Sequence, residues 1–346
     1  MMAGRKFNLS IAVVVVFFAF ILGACEGNEF EEQNYSGSAL GTSYHIKIFT
    51  GKEDLQIEKG LDSIFQVINQ SMSTYWEESD ISLINHGVDS IKVDENFKKV
   101  FKASEKIYKE TDGYFDPTVG NLVNAYGFGP DKSPEALNAA TIDSLLQYVG
   151  LDKLKLTAEG RIKKENPQIY LDFNAIAKGY TIDVIAGYFE NKGIYNYLIE
   201  LGGELVSKGE HITKQKPFIV AIDDPLQEEG ERTYQATLKL KNRAMATSGN
   251  YRKFRIDSIT GERFVHTINP LTGKPERSNL LSASVLADNC MLADGYATAF
   301  MALGLEKAKE LSSKLDNIDV YFIYSENDST KVYVSEGFQE TLIRAC

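Results

Sequence analysis

The sequence predicts a single α+β domain that follows an N-terminal export signal. Residues 61–68, 97–108 and 291–303 carry apolar side chains at the spacing of amphipathic helices. Residues 197–205 match two short strands separated by a glycine pair, and further strand-like runs follow. No internal repeat and no change of composition divides the chain after residue 38. The 346 residues, 43% of them hydrophobic, are enough to bury a large core.

The elements follow one another without a regular βα alternation. The patterns predict, in chain order, a strand at 41–49, helices at 61–68, 97–108 and 141–149, a strand at 169–171, a helix at 176–184, strands at 197–205, 217–222, 233–240 and 282–287, a helix at 291–303 and a strand at 320–324. Residues 246–251 and 266–275 are polar and rich in turn formers, and we predict loops there.

The N-terminus has the pattern of a bacterial lipoprotein signal. Arg5 and Lys6 precede an apolar run, residues 11–22, that is short for a membrane span. The run ends in Leu22-Gly23-Ala24-Cys25, where such signals are cleaved before the cysteine, which then carries lipid on its sulfur. The alternative is an ordinary secretory signal with a chance cysteine.

The signal sets the predicted domain boundaries. We predict a signal peptide over residues 1–24, a lipidated Cys25 with a flexible polar tether over 25–38, and one catalytic domain over 39–346. The mature protein is then expected on the extracytoplasmic, periplasmic side, anchored to a membrane by acyl chains.

Charge and cysteine content exclude several function classes. The net charge of -11 excludes nucleic acid as a main partner, because phosphate backbones require clustered basic residues. Once Cys25 is lipidated only Cys290 and Cys346 remain, which is no disulfide framework and no metal-binding CxxC pattern. Cys290 is predicted to be a small buried residue, and a Cys290–Cys346 bridge stays open.

Residues 168–183 form a predicted strand-to-helix junction. Ile169 to Leu171 would be the strand, and Asn174 is a candidate N-cap for the following helix. The free amides and positive dipole end of such a helix are a natural site for phosphate. Asp172 and Lys178 bring one charge of each sign to this junction.

Residues 112–130 interleave aromatic side chains with glycine and proline. Tyr126-Gly127-Phe128 is the densest part of this segment, which suits neither a helix nor a central strand. Flat rings in a loop could stack on a planar ligand. The alternative is a rigid loop whose rings anchor it to the core. Neither a Rossmann fingerprint nor a P-loop occurs in the chain.

Two further positions suggest chemistry. Asp294 and Thr298 are four residues apart on a predicted helix, so a carboxylate and a hydroxyl share one face and suit Mg²⁺. A simple surface pair is the alternative. His266 lies in a predicted loop and is a candidate general base near neutral pH, although a structural histidine is the commoner case.

The ordered set of these segments resembles the ApbE-like FAD:protein FMN transferases, many of which are lipoproteins. The segments that carry the resemblance are residues 72–75, 112–130, 171–180, 200–204, 247–251, 266–275 and 293–298. The resemblance implies a single compact domain of T-fold-like α+β type. It also implies Mg²⁺-dependent transfer of FMN from FAD to a Thr or Ser hydroxyl, with release of AMP. The implied acceptors are membrane electron-transfer flavoproteins, such as subunits of Na⁺-pumping or related NADH/quinone enzymes.

The resemblance assigns roles position by position. Asp294 and Thr298 match metal ligands, Ala175 matches a position that would bind through its carbonyl, and Ala297 stands where some members have Asp. His266 matches the proposed base, although many members have a second His where this chain has Thr267. The positions that match FAD contacts are Leu40, where others have Met, Tyr75, Tyr126, Gly127, Phe128, Asp172 and Lys178, where some have Glu.

Two other functions use the same residues. Attack by water instead of a protein hydroxyl would make the protein an Mg²⁺-dependent FAD pyrophosphatase that yields FMN and AMP. A lipoprotein that binds FAD without turnover is the other alternative, although simple FAD binding does not require a metal at the diphosphate.

Overall fold

An antiparallel sheet of eight strands forms the frame of the protein. The computed structural model describes residues 30–53, 55–130, 137–227, 231–249, 254–256, 263–265, 267–275, 278–327 and 329–345. The strands are β1 (Glu31–Ala39), β2 (Thr42–Thr50), β3 (Leu154–Leu156), β4 (Ile162–Lys164), β5 (Tyr197–Leu201), β6 (Glu204–Lys208), β7 (Phe218–Asp223), β8 (Tyr234–Leu240), β9 (Ala244–Gly249), β10 (Phe254–Ile256), β11 (Arg263–Val265), β12 (Ile268–Asn269), β13 (Lys274–Pro275), β14 (Leu280–Ala287), β15 (Asp319–Glu326), β16 (Ser329–Val334) and β17 (Leu342–Ala345).

Helices pack against one face of this sheet. They are α1 (Ile57–Met72), α2 (Asp80–Asn85), α3 (Glu95–Glu110), α4 (Gly120–Ala125), α5 (Ala139–Leu146), α6 (Ala177–Asn191), α7 (Cys290–Leu303), α8 (Leu305–Ser312) and α9 (Glu336–Gln339). The predicted amphipathic helices are confirmed. No helix in the described part of the chain has the length and apolar character needed to cross a bilayer.

The centre of the sheet is buried on both faces. Its strand order is β1-β2-β5-β6-β9-β14-β15-β16, and neighbouring strands are antiparallel. Successive side chains of a strand point to opposite faces. Val320 and Phe322 of β15 therefore join the core beneath the helices, whereas Tyr321 and Ile323 pack towards the three-stranded sheet β17-β8-β7. The predicted α+β fold is confirmed.

The structure moves the boundary predicted for the tether. Residues 31–38 are not a flexible tether, because Glu31–Ala39 form β1 in register with β2. Glu32 forms a salt bridge with Lys47, and the ring of Tyr35 packs on the buried residues beneath the helices. This polar strand is held by cross-strand contacts, which composition alone does not reveal.

Two other local predictions are wrong for a related reason. Residues 246–249 of the segment predicted as a loop instead belong to β9, which lies in the sheet centre between β6 and β14. Residues 250 and 251 of that prediction lie outside the described residues. The predicted strand at 169–171 makes only one parallel bridge, from Tyr170 to Val119. In both cases the pairing with neighbouring strands, and not the local sequence, determines whether the segment is a strand, because β propensity depends strongly on context.

Helices α6 and α7 cross in very close contact at Gly179. A Cβ atom at Gly179 would lie 2.2 Å from the carbonyl oxygen of Cys290 and 2.8 Å from the Cβ atom of Asp294. The first of these neighbours is backbone and cannot rotate away. The absence of a side chain at Gly179 therefore sets how closely the two helices approach.

Gly179→Ala should lower the free energy of unfolding by about 1–3 kcal/mol, because the added methyl group overpacks the helix crossing. The matched control is Gly187→Ala on the same helix, where no atom lies within 4 Å of the added Cβ. That control should be neutral or stabilising by up to about 1 kcal/mol, since alanine is the better helix former. Thermal unfolding followed by circular dichroism measures both, and equal midpoints for the two variants would contradict the crossing.

Candidate functional site

The N-terminus of α6 has no cap of its own. The N-cap position is Ile176, which has no capping side chain, so the prediction that Asn174 caps this helix is wrong. Asn174 instead donates from its backbone N–H and its Nδ2 atom to the two carboxylate oxygens of Asp172, at 2.7 and 3.1 Å. Asp172 is largely buried, and burial raises the pKa of its carboxyl group.

The missing cap comes from Asp294 on α7. The backbone N–H of Gly179 donates to Asp294 Oδ2 at 3.0 Å, so a carboxylate occupies the positive end of α6. This contact satisfies one of the amides at the helix end that the sequence offers as a site for phosphate. In return, Asp183 of α6 accepts from the N–H groups of Cys290 and Met291 at 2.8 and 2.9 Å, at the start of α7.

Lys178, Glu204 and Asp294 form a group that we call the charged triad. The Lys178 ammonium lies 3.2 Å from Glu204 Oε1 and 3.7 Å from Asp294 Oδ1. Glu204 and Asp294 are only 5% and 2% exposed. Glu204 Oε2 is buried and has no hydrogen-bond partner among the described residues. The triad therefore combines two buried carboxylates, one of them with an unsatisfied oxygen, and a partly buried ammonium group.

Burial and the neighbouring charges have opposite effects on the pKa values of Lys178 and Glu204. Burial disfavours the Lys178 ammonium, but the attraction of Asp294 and Glu204 is stronger, so the pKa of Lys178 is raised above the ordinary lysine value. Burial raises the pKa of Glu204, although the nearby ammonium opposes that change. The two carboxylates thus stabilise a positive charge at this position.

Hydroxyl groups line the neighbouring part of α7 and β9. Thr298 is half-buried, and its Oγ1 atom lies 3.3 Å from Ser248 Oγ. Thr247 Oγ1 and Ser284 Oγ are 2.8 Å apart on adjacent strands. Ser248 was absent from the predicted site. Its only sequence signal was its position inside the 247–251 segment, whose strand conformation the sequence did not indicate.

The four predicted metal positions differ in what the structure offers. Asp294 and Thr298 share one face of α7, as their spacing predicts. Ala175 is partly buried, in the turn just before α6. Ala297 is fully buried in the core, and its carbonyl lies inside α7, where the helix itself uses that oxygen. Ala297 therefore offers the least to a metal ion.

The predicted flavin contacts divide into exposed and anchored residues. Tyr75 is 64% exposed, and desolvation followed by the negative charge of Asp172 raises the pKa of its hydroxyl, so these two predicted contacts are near each other. Tyr126 is only 9% exposed and packs with Ile142 and Ile268, and Phe128 packs on the same cluster. The aromatic segment is thus anchored to a small core, which is the alternative left open by its sequence. It is not wholly a loop, because it contains the short helix α4.

Leu40 and Gly41 are the central residues of the β1–β2 turn. Both have positive φ angles, 51° and 74°, as a tight two-residue hairpin requires. Leu40 packs against both large core clusters. A leucine held in this sparsely populated conformation is a local strain of the kind that concentrates at binding sites.

Two of the predicted site residues, His266 and Cys25, lie outside the residues that the structure describes. Cys290 is buried and has no disulfide partner in the described chain, as expected for a small core residue, and Cys346 also lies outside the description.

The donor set around Asp294 fits a hard divalent cation. No three His, Cys, Asp or Glu side chains converge as a metal cage within the described chain. Mg²⁺ does not need such a cage, because it commonly uses one or two carboxylates and takes waters and substrate phosphates as its other ligands. The unsatisfied Glu204 Oε2 and the excess of carboxylate over ammonium in the triad agree with a cation bound nearby.

Comparison with known proteins places this geometry in a family. A FAD:protein FMN transferase from Haemophilus influenzae is 36% identical over 96% of this chain and 98% of its own length. One from Vibrio cholerae is 33% identical over 95% of this chain and 98% of its own length.

Solved structures agree with the sequence relatives. A flavin transferase ApbE from Vibrio cholerae superposes with a TM-score of 0.81 at 32% identity, and covers 90% of this chain and 100% of its own. The apo flavinyl transferase ApbE of Pseudomonas stutzeri reaches 0.80 at 25% identity, over 92% of this chain and 99% of its own. The resemblance inferred from sequence and the predicted single compact α+β domain are both confirmed.

The family model described as the ApbE family matches residues 40–322, which is most of the chain. The chain therefore belongs to the ApbE family.

Proposed function

We propose that this protein transfers FMN from FAD to a Thr or Ser hydroxyl of an extracytoplasmic acceptor protein, in a Mg²⁺-dependent reaction that releases AMP. The observation that carries the proposal is the charged triad at the N-terminus of α6, where Asp294 and Lys178 meet. Relatives named FAD:protein FMN transferase that align over nearly the whole chain support the same reaction.

Each residue has a chemical task in this proposal. Asp294, Thr298 and the Ala175 carbonyl would hold Mg²⁺, which when bound neutralises charge on the diphosphate of FAD. Lys178 supplies a second positive charge for phosphate oxygens, and Tyr75, beside Asp172, offers an exposed ring to the flavin.

The remaining predicted contacts complete the site in this proposal. Leu40, Tyr126, Gly127 and Phe128 would bound the flavin, with Tyr126 acting through its anchored position in the small core. FAD is the donor substrate, and the acceptor is an extracytoplasmic electron-transfer flavoprotein subunit, as in Na⁺-pumping or related NADH/quinone enzymes.

The bond changes balance without any redox step. The acceptor oxygen forms a bond to the FMN-side phosphorus, and the diphosphate P–O bond breaks, so that AMP leaves with the bonding electrons. The proton of the hydroxyl passes to His266 as general base. Attack by water at the same phosphorus would give free FMN, which separates transfer from hydrolysis experimentally.

The proposed location is the outer side of a membrane, with lipid on Cys25. Because β1 begins at Glu31, only residues 25–30 would remain as tether. Six residues span at most about 20 Å when fully extended. The catalytic domain would therefore stay close to the bilayer surface, where membrane-bound acceptors are found.

Asp294→Asn should abolish transfer, because it removes the charge of the only predicted metal ligand with an acidic side chain while keeping an oxygen that can accept from Gly179. The assay mixes FAD, Mg²⁺ and an acceptor, and measures flavin fluorescence of the acceptor in a gel together with AMP release. Asp294→Ala should also be inactive, and loss of the cap should lower stability by about 0.5–2 kcal/mol.

The control for this prediction is Asp288→Ala, which removes an exposed acid just before α7 and should leave transfer near the wild-type rate. Chelation by EDTA should stop the wild-type reaction and addition of Mg²⁺ should restore it. Near-normal turnover by Asp294→Asn would refute the assignment of Asp294.

His266→Ala should slow transfer by about 10²–10⁴-fold with little change in FAD affinity, as expected on loss of a general base. Single-turnover transfer rates and equilibrium FAD binding separate the two effects. His86→Ala at the exposed end of α2 is the control and should have no effect. An unchanged transfer rate in His266→Ala would show that another residue is the general base.

The Cys25→Ser variant should carry no covalent lipid and should not undergo normal lipoprotein maturation. Metabolic labelling with a fatty acid followed by immunoprecipitation measures the lipid. Cys346→Ser is the matched control and should keep the label. A label that persists in Cys25→Ser would contradict the predicted lipoprotein signal.

A further inference from the structure

The position of Lys178 in its helix is electrostatically unfavourable for a cation. It is the second residue of α6, next to the positive end of the helix dipole, where a cation is disfavoured. Its side chain is largely buried, with 27% exposed. An ammonium group in that setting needs anionic partners, and Glu204 and Asp294 are its two salt-bridge partners in the described chain.

Glu204 reaches the triad from a different element. It is the first residue of β6 and follows the Gly202–Gly203 turn, both residues of which have positive φ angles. Glu200 holds this turn by accepting the Gly203 N–H at 2.7 Å. Glu204 is therefore placed by the β5–β6 hairpin, whereas Asp294 is placed by the α6–α7 crossing.

The two oxygens of Asp294 have different neighbours. Its Oδ2 atom accepts the Gly179 N–H, whereas Oδ1 faces the Lys178 ammonium at 3.7 Å. In the proposed reaction Oδ1 would also serve Mg²⁺. The ammonium and the divalent cation would therefore draw on the same carboxylate oxygen, and the ammonium lies nearer to Glu204, at 3.2 Å, than to Asp294.

We propose that Glu204 is a positioning residue that draws the Lys178 ammonium towards itself, weakens its pairing with Asp294 and so keeps Asp294 Oδ1 available to the divalent cation. Glu204 Oε2 is buried and has no hydrogen-bond partner in the described part of the chain, while Oε1 is the atom that faces the Lys178 ammonium. The inference rests on the proposed function, since it assigns the cation to Asp294. It predicts that Glu204 and Lys178 act on metal affinity as a coupled pair.

The test measures Mn²⁺ binding to the protein without FAD or acceptor, so that a lost contact between Lys178 and phosphate does not enter the readout. The measured quantity is the loss of the free Mn²⁺ signal in electron paramagnetic resonance. Glu204→Gln should weaken Mn²⁺ binding at least ten-fold, because Lys178 then has only Asp294 as an anionic partner. Glu204→Gln combined with Lys178→Met should return the affinity to within about three-fold of wild type, since the competing ammonium is gone.

The control is Glu210→Gln, which removes a solvent-accessible acid paired with Lys241 just beyond β6 and should leave Mn²⁺ affinity unchanged. A merely structural role of Glu204 would not be rescued by Lys178→Met, so a double variant as weak as Glu204→Gln overturns the inference. Unchanged affinity in Glu204→Gln overturns it as well.

A further variant covers the case in which Glu204→Gln does not fold. Lys178→Met alone, with Glu204 intact, should bind Mn²⁺ at least as tightly as wild type, and weaker binding contradicts the inference. Failure of the proposed function would give a different result. The wild-type protein would then form no flavin-labelled acceptor, although the Mn²⁺ affinities of the variants would still follow the expected order.

Discussion

The exchange of caps between α6 and α7 is the interaction on which the candidate site depends. Asp294 of α7 accepts from the start of α6, and Asp183 of α6 accepts from the start of α7. Gly179 permits the close approach that makes both contacts possible. Because each helix satisfies backbone amides of the other, the position of the Asp294 carboxylate is determined by two helices at once. A ligand site on this carboxylate is therefore rigid before any ligand binds.

The charged triad is costly as a purely structural feature. Burying two carboxylates and one ammonium removes their hydration, and a buried ion pair often fails to recover that loss. Here one carboxylate oxygen has no partner at all within the described chain. The arrangement is reasonable if the site exists to attract positive charge and to hold a polyanionic substrate. This is the physical link between the fold and the proposed transfer reaction.

The sheet brings the parts of the site together from distant positions in the chain. Glu204 arrives on β6, Ser248 on β9 and Asp294 on the helix that follows β14, and these strands are neighbours in the sheet order. The helices cover one face and the small three-stranded sheet covers the other. The site thus lies where the N-terminal ends of α6 and α7 meet the helix-covered face of the central strands.

Local patterns in the sequence determined the amphipathic helices, the β5–β6 hairpin and the shared face of Asp294 and Thr298, because each depends on residues a few positions apart. The ordered motifs also determined the family. Only the tertiary structure decided that β1 and β9 are strands, that Asp294 caps α6 in place of Asn174, and that Glu204 joins Lys178. Each of these depends on contacts between residues far apart in the chain, whose energies leave no periodic trace in the sequence.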